Sequence, residues 1–530
     1  ELALGVELDR VVLLGLAEGT FPARRRDDAL LPDRERHGAG PDLRTRVARS
    51  DDEHRALLAV LSAATESVML FPRGDLRRGA ERAPSRWLLD AVEARDGVRP
   101  PTESLADRTG DWFTEVPSFV AGLRRSEFPA HRQEYDVRAL LADHDAGLDP
   151  SDNLLLVDRP EVARGMALVA GRASPAFTRY DGNVLADGDL RGVGLPSPLD
   201  PDEVVSATRL ETWADCPHAY FVRYVLGVDA IEDPEHEYRM TPLVRGSLVH
   251  RALDRWLGEA IEAVDVPRPH EPWPERWRDR LIEIAEEECD RVQARGQSGR
   301  AIYWNRDRRR VLAELEKTVA FDDRNRHEGA TVPIATELEF GMPGAEFEPV
   351  ELALPDGRSI RIRGAIDRVD IDADGQLVVI DYKTGRADGY KGMGADDPAP
   401  GGGHLQLVLY AAAAREILGR PGGSPRGAYW FVSDRGGFGA HGYEVTPAVD
   451  ELVRSLVGEI SDGIAGGVFP LHPAEPKWRY RIPCRFCEPD GLGTRDEWRD
   501  WERKREHPDL GLYRSIAEPD LFHHVGSGDA

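Results

Sequence analysis

The sequence predicts an α/β protein built from more than one compact unit. Three observations support this. Strand-like apolar runs occur in two well-separated regions, a strongly helical stretch lies between them, and 530 residues exceed one ordinary domain, so two or three units are expected.

Taken in order, residues 1–95 open with "LDRVVLLGLAEGTFP", a buried-strand pattern ending at a Gly/Pro turn. They close with "DDEHRALLAVLSAATESVMLF", which reads as helix. Residues 96–203, rich in Asp, Pro and Gly with short apolar patches such as "VRALLADHDAGL", read as a connecting region of helices and loops. From "VVSATRLETWADCPHAYFVRYVLGV" the pattern is helical to about residue 325, with helices expected around 246–262, 276–295 and 306–322. Strands follow in "SIRIRGAIDRVDI" and "QLVVIDYKT", then a helix of good formers in "HLQLVLYAAAAREIL" and a further strand in "AYWFVS". "PAPGGG" (398–403) reads as a flexible loop, the unit that begins at 204 extends to about 500, and 501–530 form a tail.

The formal charge of −26 argues against a broadly cationic surface, although an enzyme acting on a polyanion needs only a local basic channel. Arg306, Arg308, Arg309 and Arg310 form one candidate cluster, and a solvated helix face is the plainer reading of that run. The chain shows neither a membrane-length apolar run nor a charged-then-apolar leader, which makes a soluble, cytoplasmic protein the expectation. Its first residue is Glu1, inside a strand pattern, which suggests a piece of a longer polypeptide. Four cysteines are too few for a secreted disulfide scaffold.

The chemistry concentrates between residues 360 and 410. In "RIRGAIDRVD", alternation puts Ile360, Ile362 and Ile366 on one face and Arg361, Arg363, Ala365 and Asp367 on the other. In the next strand Asp381 and Lys383 share a face, opposite Ile380 and Tyr382. Two carboxylates and an ammonium converging at a sheet edge suit metal-assisted phosphodiester hydrolysis. The lysine itself is informative, because the chain holds five lysines against sixty-four arginines. A compact ammonium whose pKa can shift does what a delocalised guanidinium cannot. The plainer alternative for an isolated D-x-K is an exposed ion pair on an edge strand. Helical spacing adds two further pairs, Gly246 with His250 and Gln406 with Tyr410, each four apart on one face.

The ordered set G-x-x-x-H, G-x-I-D-R-V-D, V-I-D-Y-K-T-G and Q-x-x-x-Y resembles the RecB-family branch of PD-(D/E)XK nucleases, as found at the C-termini of AddB-type helicase–nuclease subunits, over residues 204–490. The resemblance implies a restriction-endonuclease-like α/β core acting on DNA. It further implies that His250, Asp367, Asp381 and the carbonyl of Tyr382 bind Mg2+ or Mn2+, that Lys383 is the catalytic lysine, and that Gln406 and Tyr410 position the nucleic acid or order the site. Glu337 in "ATELEF" resembles an acidic position that precedes the sheet in these enzymes.

The same family holds a [4Fe–4S] cluster on one cysteine before the core and three after it, C-x-x-C-x5-C. Cys216, Cys484 and Cys487 match three of these positions, and Gly493 stands at the fourth. The alternatives are an incomplete motif, completion by Cys289 or a non-cysteine ligand, or a zinc site. Packing is the plainer role for Cys289.

The N-terminal segment resembles part of the second motor domain of UvrD-like helicases. Where active motors carry an arginine that contacts the γ-phosphate, this chain reads Ser62, Ala63, Ala64, Thr65. With no G-x-x-x-x-G-K-[ST] loop either, the chain is expected not to hydrolyse ATP. The resemblance thus implies a DNA nuclease, with exonuclease action the expectation, working with a helicase motor in double-strand break repair. The rival readings are a non-catalytic DNA-scanning scaffold and a standalone defence nuclease.

Overall fold

A computed structural model describes residues 5–24, 28, 31–40, 42–75, 80–102, 105, 110–148, 159–186, 194–228, 238–473 and 497–518. The described residues fall into two compact units, one within Glu1–Ala163 and one from Arg164 onward.

In the first unit, β1 (Leu8–Leu13) pairs in parallel with β2 (Ala64–Met69), and α1 (Arg46–Ser62) makes the crossover. Thr45 caps α1 through its side chain, which accepts from Ala48 N–H. The stretch "DDEHRALLAVLSAATESVMLF", expected as helix throughout, therefore divides: the helix stops at Ser62 and the remainder, carrying β-branched Thr65 and Val68, pairs with β1. β1 is less buried than its apolar composition suggests, Val12 being 51% exposed, because among the described residues its sheet has two strands. A small core of Leu16, Leu88, Val92 and Leu105 lies beneath α2 (Arg86–Asp96). Further along, helices run over Phe119–Arg125 and Arg132–Asp145.

The second unit is a mixed sheet between two helical layers. Its strands are β3 (Val204–Ser206), β4 (Val332–Phe340), β5 (Val350–Ala353), β6 (Ser359–Ile371), β7 (Leu377–Lys383), β8 (Arg426–Phe431) and β9 (Ala440–Glu444). The order β9-β8-β7-β6-β3 forms the path, and β4 and β5 also pair with the long β6. The isoleucine alternation read from the sequence holds, since Ile360, Ile362 and Ile366 are buried in the core.

One helical layer consists of α3 (Ala207–Asp215), α7 (Gln406–Ile417) and α8 (Pro447–Ala465), packed on Ile360, Val379, Tyr429 and Phe431. Residues 407–414 of α7 are all buried, and the run of small alanines lets the helix lie close against the sheet. The other layer is α4 (Pro242–Glu262), α5 (Glu275–Ala294) and α6 (Ala301–Gly329), which enclose Tyr382, Trp430 and Val432. The three helices expected there are present; the first and third are longer than their apolar periods indicated, and the second is shifted by one residue.

Asp322 of α6 and Asp370 of β6 both pair with the buried Arg368, and Arg326 also pairs with Asp322. This fastens the helical layer to the strand that carries Asp367. A later helix, α9 (Gly511–Ala517), returns to α3, where Tyr513 meets Trp213 edge to face. Among the described residues, no helix is long and apolar enough to cross a membrane.

Candidate active site

The site lies where two strands part. β6 and β7 pair antiparallel from Ile371↔Leu377 to Arg368↔Ile380, and the register goes no further. Beyond that point the Asp367 side chain takes the place of a backbone acceptor: Tyr382 N–H donates to its Oδ2 at 2.6 Å. β7 is an interior strand, flanked on its other side by β8 through Lys383. The exposed edge-strand alternative for Asp381 and Lys383 is thus not what the fold shows, and Asp381 is 5% exposed.

α4 supplies the imidazole. Thr241 caps the helix and Pro242 opens it, so His250 falls two turns in, facing the parted strands. Its Nδ1 is 3.1 Å from Asp367 Oδ1 and its Nε2 is 3.0 Å from Tyr382 O. Burial alone would lower the His250 pKa, but the Asp367 hydrogen bond and the charges of Asp367, Asp381 and Glu337 outweigh it and raise it. Both neighbours are acceptors, which favours the doubly protonated ring while no cation is bound; to act as a ligand the ring would have to give up one proton.

Glu337 faces the same point from β4, between the pairs Thr336↔Arg368 and Leu338↔Ile366. Its φ of +42° is unusual for a glutamate within a strand. Burial first, then the charges of Asp367 and Asp254, push its carboxyl up to about 7. Ligating atoms of His250, Glu337 and Asp367 all lie within 4.8 Å of one another. Two carboxylates and a nearby carbonyl are hard oxygen donors and the imidazole a borderline one, a set suited to a divalent cation.

Asp381 and Lys383 stand beside this group. Asp381 Oδ2 is 2.6 Å from Lys383 Nζ, yet this buried oxygen lacks a well-aligned hydrogen bond and so keeps acceptor capacity for a cation. Burial and the Asp367 charge hold the Asp381 carboxyl above its usual range despite the ammonium. For Lys383, burial acts downward, but Asp381 more than compensates and the pKa is raised. The shift is upward, so the group is a firm cation. Lys383 Nζ also donates to Gln406 Oε1 at 3.0 Å and lies 4.9 Å from the centroid of the Tyr429 ring.

Two motif residues meet in a way that spacing does not reveal. A Cβ on Gly364 would stand 2.7 Å from Tyr410 Cε1, so the glycine of G-x-I-D is the floor on which the tyrosine of Q-x-x-x-Y rests. Gly246 has no such constraint, since its Cβ would meet Thr384 Oγ1 only at 3.8 Å.

Three neighbours escaped sequence reasoning. Glu211 of α3 accepts from Leu405 N–H at 2.8 Å, at the start of α7, and burial holds its carboxyl above the usual range while the Lys383 ammonium opposes the shift. Asp254, one turn beyond His250, is 3.1 Å from Thr336 Oγ1. Tyr429 comes from a strand read only as apolar. The four-residue spacing could have found Asp254, whereas nothing local marks the other two.

The cysteines lie elsewhere. Cys216 is buried at the end of α3. Cys484, Cys487 and the Gly493 position are outside the described residues. Cys289 is enclosed in the α4–α6 layer, with its thiol pushed up to about 11 by burial, as a packing residue would be.

A mixed sheet between helical layers, with carboxylates, an imidazole and an ammonium gathered where two strands part, defines a nuclease-type α/β centre. Residues 204–490 match the family model described as the PD-(D/E)XK nuclease superfamily, and the chain belongs to that superfamily. It is similar to proteins named as the B subunit of an ATP-dependent helicase/deoxyribonuclease. The one from Symbiobacterium thermophilum is 28% identical over 445 residues, covering 78% of this chain and 34% of the relative. That from Moorella thermoacetica is 27% identical over 449 residues, 80% of this chain and 35% of the relative. The Caldanaerobacter subterraneus protein is 31% identical over 240 residues, 43% of this chain and 19% of the relative. The chain spans about a third of the length of the first and second of these.

Proposed function

We propose that this chain is the nuclease part of an AddB-like helicase–nuclease and hydrolyses phosphodiester bonds in DNA with a divalent cation. One observation carries the reading: Asp367, His250 and Tyr382 converge at the strand split directly beside the Asp381–Lys383 pair. Glu337 joins His250, Asp367, Asp381 and the Tyr382 carbonyl as the set that would hold Mg2+ or Mn2+. Such an ion supplies charge neutralisation at the phosphate and acidifies a water. Lys383, anchored by Asp381, Gln406 and the Tyr429 ring, presents its ammonium to the negative charge that develops on the phosphoryl oxygens. Gln406 fixes the ammonium, and Tyr410, resting on Gly364, fixes the start of α7.

In this reading residues 1–95 are a helicase-like remnant without ATPase activity, the partner is a helicase motor, and the setting is cytoplasmic double-strand break repair. The relatives' names support the helicase association, and the matched family supports the nuclease. A scaffold role is disfavoured because the carboxylates and the lysine are all present. Cys216 with Cys484 and Cys487 would form an iron–sulfur or zinc staple. Purified chain should degrade linear DNA in Mg2+ and stop in chelator, and Asp381→Ala and Lys383→Ala should each lower the rate by at least about a hundredfold. Undiminished cleavage by either variant would overturn the assignment.

A further inference from the structure

The arginines that the sequence singles out on α6 are largely neutralised: Arg306 pairs with Asp307, Arg308 with Asp290 and Arg310 with Glu314. Two other exposed arginines, Arg239 and Arg300, have no carboxylate partner among the described residues, and each stacks on a tyrosine instead.

Their segments are joined by backbone. Arg239 and Gly299 form an antiparallel bridge, and Arg300 N–H donates to Tyr238 O at 3.1 Å. Gly299 has φ +69°, and a Cβ there would lie 2.7 Å from Arg239 Cα, so this close approach needs glycine. Across the bridge the side chains pair reciprocally. The Arg300 guanidinium is 4.3 Å from the Tyr238 ring centroid and that of Arg239 is 4.6 Å from the Tyr303 centroid. Tyr238 is 46% exposed and Tyr303 half-buried.

Stacking occupies the flat face of a guanidinium and leaves its N–H edge free for phosphate oxygens. Exposed rings interleaved with unpaired cations suit a single strand, whose bases are free to stack while its backbone is held electrostatically. A duplex hides its base faces and gains nothing from the tyrosines. The patch stands just ahead of the helix that supplies His250. Arg239 is three residues before Pro242, and His250 lies eight residues beyond it, about 12 Å along α4. One turn into the helix, Arg245 donates to Thr384 O at 3.1 Å, next to Lys383.

We propose that Tyr238, Arg239, Arg300 and Tyr303 form a binding surface for single-stranded DNA that leads a strand toward the parted strands. The proposal rests on the nuclease reading and names its substrate form. It is tested on the full chain by fluorescence anisotropy with a labelled oligothymidylate, in chelator so that nothing is cleaved, across a salt series. Arg239→Gln with Arg300→Gln should lower the slope of log affinity against log salt by about 1.4, roughly 0.7 for each phosphate no longer neutralised. Tyr238→Leu with Tyr303→Leu should leave the slope alone and weaken binding about tenfold. Arg239→Lys with Arg300→Lys should restore the slope, which separates loss of charge from misfolding. The proposal is overturned if wild-type chain does not bind, if both double variants bind as wild type does, or if the tyrosine variant loses as much affinity for a blunt duplex. Wild-type binding with the predicted losses but no cleavage in Mg2+ would uphold the surface and sink the nuclease reading instead.

Discussion

Glu337 combines a left-handed backbone with a side chain that burial, Asp367 and Asp254 make hard to ionise. Strain and like-charge crowding persist where the surrounding structure over-determines them, and they gather at functional sites. Without a cation, the folded chain holds this proton more tightly than the unfolded chain does. Stability should therefore fall as pH rises from about 4.5 to about 7, with the full loss present above that. Glu337→Gln removes the repelled charge. In chelator it should raise stability by on the order of 1–3 kcal/mol at alkaline pH and have little effect below about pH 4.5. Thermal melts at the two pH values check this, and a midpoint at alkaline pH no higher than wild type would contradict it. At this scale Asp381 and Lys383 were legible because side chains alternate along β7, with Tyr382 buried and Ile380 half-buried against the opposite layer. Glu211 and Tyr429 were not, since only the docking of α3 and β8 brings them to Lys383.

Parting of β6 from β7 is the structural event that makes the site, and Gly364 lies on the same strand three residues before Asp367. Because a Cβ there would press on the Tyr410 ring, Gly364→Ala should cost about 1–3 kcal/mol and reduce cleavage by disturbing the start of α7. Tyr410→Ala removes the obstacle, so the double variant should lose clearly less than the sum of the singles. Additive losses in a denaturant-based cycle would show that the two residues are not packing partners. The sequence made the helices and core strands of the second unit readable through their apolar periods. It did not show where α1 ends, because "SAATESVML" suits either structure until β1 offers a partner. Nor does any local pattern announce a strand split, which depends on a side chain replacing a backbone acceptor.

Across the whole molecule, the beginning and end of the second unit are already joined by packing. Trp213 meets Tyr513, and Trp213 Nε1 donates to Val468 O at 2.9 Å. A metal staple through Cys216 would add loop restriction to that packing, by on the order of several kcal/mol. Cys216→Ser should then release iron or zinc and lower the melting temperature, while cleavage persists in the folded fraction. Neither metal in wild-type protein, together with an unchanged melting temperature, would leave packing as the sole tie. The net charge of −26 is compatible with the proposed DNA enzyme because the proposed surface needs only the local cations Arg239 and Arg300, apart from the α6 run that stands out in the sequence. Whether the parted strands hold a cation is decided by calorimetric titration of Mn2+ into the metal-free chain. Wild type should bind at the site, Asp367→Asn should lose that binding, and Lys383→Ala, which removes a charge partner and not a ligand, should keep it. No binding by wild type, or equal binding by Asp367→Asn, would contradict the metal centre and the chemistry built on it.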